Sequence, residues 1–279
     1  MENKKKKLKL QKLIGLIYNS KKSKFYKNIW KNLYFKNRKI DFVNLPIIGA
    51  KDIIKCKFDK RIYIKNGLFV KIVYHENIPF LIARTKSDIS KENYGEISYE
   101  RPLVFFESSH ESIEKSIWLS SKKILPILEE ENTNLTLMIS GRYGIDSILG
   151  DSKSIARIIP DGSRHFDYRK IKNVTIMDCK LERSFIKFLS DIFPSAKIEI
   201  IISLPETGPL GFVCQENKKN NLIFHPPDDT IIEVNNGYLV ATRLILLPTP
   251  IIKYKTGIKI AMEKRNCSCK SELSFSLQN

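Results

Sequence analysis

No apolar run in this 279-residue chain reaches the ~20 residues that a membrane-spanning helix requires, which argues against a helical anchor. Cysteines are few and odd in number, five in all, which argues against a disulfide framework and for a reducing compartment. Glycine and proline, 12 of each, are too sparse for a collagenous or low-complexity chain. Acidic residues are scarce only at the start: residues 1–40 hold Glu2 against 14 Lys and Arg, a net +13 of the total +18. The other 239 residues carry 34 basic and 29 acidic groups, a net of only +5. A basic face spread over a nucleic-acid-binding domain is therefore not expected. Lys, Ile and Asn are used heavily throughout, so codon bias is a sufficient cause for the charge. The start, "MENKKKKLKLQKLIGLIYNS", is basic and then apolar, but its apolar stretch is only "LIGLIY" and no small-residue cleavage site follows. Export is not expected, and the chain reads as cytoplasmic.

What is present is the patterning of a folded α/β protein. Hydrophobic residues make up 42% of the chain, enough for a substantial core. Apolar residues at three-four spacing predict helix within 8–35, with Ser23 capping a second helix. "NLPIIGAKDIIK" reads as a turn. "RIYIKNGLFVKIVYH" predicts a hairpin about Asn66–Gly67. "PLVFFES" reads as a buried strand followed by a polar turn, and 114–130 as helical toward its end. "SGRYGIDSILGD", residues 140–151, reads as a loop. "NVTIMD", "KLERSFIKFLSDIF" and "KIEIIIS" give strand, helix and strand, the order of a parallel layer. From about 210 the character changes to short β runs, with a second Asn-Gly hairpin at Asn236–Gly237. Three segments are expected: basic helices at 1–40, an α/β core at 41–209 and a β subdomain at 210–279.

One cluster of residue types bears on chemistry. Cys214 and His225 flank a polar turn, and Cys267 and Cys269 form a C-x-C pair near the end. Taken alone, the C-x-C pair is compatible with chance, with a redox pair or with half a metal site. The set Cys214, His225, Cys267 and Cys269 makes a Cys₃His complement that suits tetrahedral zinc. Cys56 and Cys179 read as core residues.

The segments "IEIIISLPETGPLGFVCQ", "LIFHPPDDTIIEV", "GYLVATRLILLPTPIIKYKTGIKI" and "CSCK" together resemble the phenylacetate–CoA ligase-like branch of the adenylate-forming (AMP-binding) superfamily. A weaker likeness runs upstream, through "NSKKSKFYKNIWKN", "NLPIIGAKDI" and "FFESSHESIEKSIWLS", and covers most of the chain. The resemblance implies an adenylate-forming core with a parallel sheet and a β subdomain stapled by zinc through Cys214, His225, Cys267 and Cys269. It implies ATP and magnesium as cofactors and a carboxylic acid or acyl group as ligand. It puts Ser108, Ser109, Ser112 and Lys115 in the phosphate loop, Glu206 at the magnesium ligand, and Lys255, Thr256 and Gly257 in the nucleotide motif.

Departures from the family pattern are as informative. No glycine lies between Glu107 and Ile117, where a phosphate loop needs backbone N–H groups to approach closely. Pro205 stands where the family has threonine, and Ile258 where an aspartate would accept ribose hydroxyls. The chain ends shortly after Cys269, so the family's C-terminal lid, with its lysine, is expected to be absent. The expectation is a degenerate ligase-like protein, a pseudoenzyme or one of reduced activity, unless a partner protein supplies the missing domain. The alternative is a non-catalytic binding or scaffold protein using the old acyl pocket or the basic helices.

Overall fold

The computed structural model describes residues 2–31, 42, 44–62, 67–75, 78–92, 94, 100–124, 126–128, 132–179, 181–214, 222–245, 247–263 and 273–278. They fall in two compact units, Met1–Asp88 with Cys214–Asn279, and Ile89–Val213.

The first unit opens with α1 (Glu2–Ser20) and α2 (Lys24–Ile29). Ser23 caps α2 as its sequence predicts, its hydroxyl accepting the Tyr26 N–H at 3.2 Å. The segment read as a turn contains α3 (Ala50–Lys55), started by Gly49, whose N–H donates to the Asp52 carboxylate at 2.9 Å. After α4 (Phe58–Arg61) come β1 (Leu68–His75) and β2 (Ile78–Thr85), paired from Leu68↔Thr85 to His75↔Ile78. This hairpin joins 68–75 to 78–85; the one expected about Asn66–Gly67 has Asn66 and most of its first arm outside the described residues. Arg61, the start of the expected first arm, is helical, and 63–66 lie outside the described residues. Alternation fixes which face of a strand is buried, but not which neighbour it pairs with. α5 (Lys86–Lys91) comes directly after β2.

The second unit is a βα layer. β3 (Pro102–Phe105), α6 (Ser109–Ser121), β4 (Ile127–Leu128), α7 (Thr133–Tyr143), β5 (Ser147–Gly150) and α8 (Ser152–Gly162) lead to β6 (Asn173–Met177). α9 (Arg183–Ile192), β7 (Lys197–Leu204) and β8 (Gly208–Val213) complete it. Its strands lie in the order β8-β7-β6-β5-β3-β4; all neighbours are parallel except β7 and β8. Every residue of β3 and β5 is buried, as expected for strands covered on both faces. Two expectations from the sequence fail in this unit. The polar turn after "PLVFFES" is the first turn of α6, which ends at Ser121, and 140–151 holds the end of α7 and all of β5. Short polar residues at helix starts and a four-residue strand carry too little periodicity to be recognised alone.

Gly150 marks a close approach of strands. A Cβ there would lie 2.2 Å from the Phe105 carbonyl oxygen on β3. Gly150→Ala is expected to lower stability by about 2–3 kcal/mol, read as a fall in the urea midpoint. An unchanged midpoint would mean that β5 moves aside freely.

The chain then returns to the first unit with β9 (Ile223–His225), β10 (Thr230–Asn235), β11 (Tyr238–Arg243), β12 (Tyr254–Glu263) and β13 (Ser274–Leu277). They form the antiparallel run β10-β11-β12-β13-β9. Asn236 and Gly237, at φ 51° and 78°, make the expected tight hairpin turn. The unit's core joins the two ends of the chain: Leu16 and Ile17 of α1 and Tyr26 of α2 cluster with Leu247, Ile252 and Tyr254. The Tyr26 hydroxyl donates to the Pro250 carbonyl at 2.6 Å. The protein is thus a mixed α/β fold with parallel and antiparallel sheet. No helix among the described residues is long and apolar enough to cross a membrane.

Candidate functional site

The parallel strands of the second unit end at one edge, aligned through Phe105↔Gly150, Gly150↔Ile176 and Met177↔Ile201. From β3 the chain passes outward to β4, then returns past β3 to β5 and continues to β6 and β7. Right-handed crossovers put the helix leaving β3 and the helix leaving β5 on opposite faces. The gap beyond the carboxyl ends of β3 and β5 is therefore the topological switch point, where open α/β sheets bind ligands.

Residues at this edge come from four strand ends. Beyond β3, the Glu107 N–H donates to the Asp151 carboxylate beyond β5 at 2.7 Å, bridging the gap. Asp151 also caps α8, accepting the Ser154 N–H at 2.8 Å. Beyond β6, Asp178 accepts a hydrogen bond from Ser152. Beyond β7, Glu206 lies in the turn to β8 and is 3% exposed. Among the described residues, no group of three or more His, Cys, Asp or Glu side chains is placed to hold a metal ion.

The residues read as a phosphate loop form the start of α6. Ser108 is the exposed residue preceding the helix, and Ser109 is its first residue. Ser112 is buried, and its hydroxyl has no hydrogen-bond partner among the described residues. Lys115 is 3% exposed and points into the unit: its ammonium donates to the Tyr94 hydroxyl and lies 4.1 Å from that ring's centroid. Tyr94 in turn donates to the Glu92 carboxylate, and the Trp118 indole donates to the Glu92 carbonyl at 3.1 Å. This chain of contacts escaped the sequence reading, since Tyr94 and Lys115 are 21 residues apart with no shared motif. Asp151 was also missed, although Asp before "SKSIARII" is a recognisable helix start.

Lys255, Thr256 and Gly257 belong to β12 of the first unit. The Lys255 ammonium lies 4.2 Å over the Tyr238 ring, and Gly257 is exposed. The Thr256 hydroxyl is used within the sheet, donating to the Leu239 carbonyl at 3.0 Å and accepting the Ile258 N–H at 3.2 Å. Ile258 is buried.

Of the four metal-ligand candidates, Cys267 and Cys269 lie outside the described residues. Cys214 is buried, its N–H donating to the Ile223 carbonyl at 2.7 Å, two residues from His225. His225 Nδ1 is 2.9 Å from the Leu273 carbonyl oxygen. A carbonyl only accepts, so Nδ1 carries the proton, and a neutral ring then holds its lone pair on Nε2. The link 264–272, which contains both remaining cysteines, joins β12 to β13 beyond the pair Glu263↔Ser274. β13 pairs in turn with β9 through Phe275↔Phe224. Cys56 and Cys179, expected in the core, are only partly buried.

No protein-family model and no curated protein matches the chain. Solved structures do. The chain is similar to 2-hydroxyisobutyryl-CoA ligase in complex with 2-HIB-AMP and CoA, with a TM-score of 0.77 at 12% identity. That match covers 96% of this chain and 66% of the ligase, so the chain spans about two thirds of that protein's length. VinN in complex with L-aspartate matches 75% of the chain and 59% of its own, at 14% identity and a TM-score of 0.54. A luciferase-like enzyme from the mealworm Zophobas morio matches 76% of the chain and 57% of its own, at 12% identity and 0.52. This protein therefore has the α/β fold shared by acyl-CoA ligases and luciferase-like adenylate-forming enzymes.

Proposed function

We propose that this chain is a degenerate relative of carboxylate-activating ligases, of the phenylacetate–CoA ligase-like branch, in which adenylation is lost or strongly reduced. The observation that carries this reading is the position of Lys115. Catalysis of phosphoryl chemistry rests on charges already aimed at the phosphates. The lysine nearest the start of α6 instead donates to Tyr94 inside the unit. Ser112, one turn earlier, is buried as well. The absence of glycine between Glu107 and Ile117 supports the same reading, since each residue there adds a side chain where backbone would have to approach phosphate. Ser108, Ser109 and Glu206 are the candidates retained for a residual Mg–ATP contact, with Lys255, Thr256 and Gly257 on β12. The chain's expected ligand is a carboxylic acid.

The same reading gives the β layer a structural zinc held by Cys214, His225, Cys267 and Cys269. The protonated Nδ1 of His225 favours it, because a ligating imidazole usually donates its other N–H to a carbonyl or carboxylate. Bound zinc would tie the β12–β13 link to β9 and contribute folding free energy, with no part in the reaction.

ATP–pyrophosphate exchange with magnesium and a panel of aryl and alkyl acids tests the reading. Purified protein is expected to give background exchange, unchanged in Glu206→Ala. Clear exchange that Glu206→Ala abolishes would establish an active ligase and overturn the proposal.

A further inference from the structure

A separate cleft lies within the first unit, between α2, the segment 46–48 and the helices α3 and α4. Its volume is about 580 Å³, within the range of small-molecule sites. Phe25, Ile29 and Ile48 contribute apolar surface to its lining, and Lys55, Lys57 and Lys60 line it as well. All three lysines are exposed. The one carboxylate in the lining, Asp52, is committed to the start of α3 through the Gly49 N–H at 2.9 Å. The lysines thus outnumber it by three to one, and the rim is positive.

We propose that this cleft binds an apolar carboxylate, its hydrocarbon part on Phe25, Ile29 and Ile48 and its head toward Lys55, Lys57 and Lys60. Neither element suffices alone: a small hydrophilic anion gains nothing from the apolar lining, and a neutral alkane leaves the cations unanswered. The inference does not depend on adenylation, since none of these residues belongs to the candidate nucleotide set.

Titration calorimetry of the full chain with decanoate tests it, with decanol and acetate as the two halves of the ligand. Decanoate is expected to bind at one site, decanol about tenfold more weakly, and acetate not measurably. The charge-neutral triple variant Lys55→Gln, Lys57→Gln, Lys60→Gln changes only exposed side chains and should fold normally. It is expected to weaken decanoate by about tenfold or more while leaving decanol unchanged. No binding of decanoate, equal binding of decanol, or full affinity in the triple variant would each overturn the proposal. Glu206→Ala should leave decanoate affinity unchanged, so this test and the exchange assay fail independently.

Discussion

Asp229→Ala is expected to destabilise the protein by about 3–5 kcal/mol, more than any exposed substitution can. Arg243, at the end of β11, is 0% exposed, and its Nη2 lies 3.2 Å from the Asp229 carboxylate. Truncating the acid deprives a buried guanidinium of a counter-charge, and the cost of that exceeds the worth of the pair itself. Asp229→Asn keeps an acceptor and should cost less. Adding Arg243→Met to Asp229→Ala is expected to recover part of the loss, because the buried charge that the acid faced is removed with it. Chemical denaturation of the three variants measures all of this. A loss below about 1 kcal/mol for Asp229→Ala would show that the pair behaves like a surface ion pair. The neighbouring pair, Lys253 with Glu233 at 2.9 Å, is less enclosed on its acidic side and is expected to show a smaller version of the effect.

The second large effect concerns metal. Purified protein is expected to contain about one zinc per chain, as a Cys₃His set would bind. Cys267→Ser and His225→Ala should lose it, and a chelator should lower the melting temperature by unfolding the β layer first. Hydrogen exchange localises that loss: amides of β9, β12 and β13 should lose protection while those of β3, β5 and β6 keep theirs. Protein that is free of zinc, and indifferent to chelator, would remove the metal assignment. Loss of metal in His225→Ala with retention in Cys267→Ser would point to a different ligand set that includes the histidine.

Several parts of the molecule were legible in the residues themselves. The strand, helix and strand over 173–204 were readable because α9 is strongly amphipathic and the runs on either side of it are short and rich in β-branched residues. The hairpin at Asn236–Gly237 was readable because positive φ at both positions selects those residues. The one expected at Asn66–Gly67 lies mostly outside the described residues, since 63–66 are not among them. α7 and α8 were missed, although Asn132 and Asp151 cap them, because their apolar faces are short and interrupted by Ser, Gly and Pro.

The candidate site divides in the same way. Residue type and order marked Ser108, Glu206 and Thr256 as positions to inspect, and the Cys and His spacing suggested a metal. Whether a polar side chain faces solvent or core is a property of its neighbours, and those neighbours come from distant segments. Tyr94 and Glu92 turn Lys115 inward; Leu239 takes the Thr256 hydroxyl; Leu273 sets the proton on His225. The sequence by itself determined local periodicity, turn chemistry and the inventory of reactive groups, because these depend on contacts within a few residues. Only the tertiary structure decided that 1–88 packs with 214–279, that β13 lies between β12 and β9, and that Phe25 and Ile48 share one cleft with Lys55, Lys57 and Lys60. Those outcomes depend on burial and pairing across long separations, which many chain arrangements satisfy locally and only the assembled core selects.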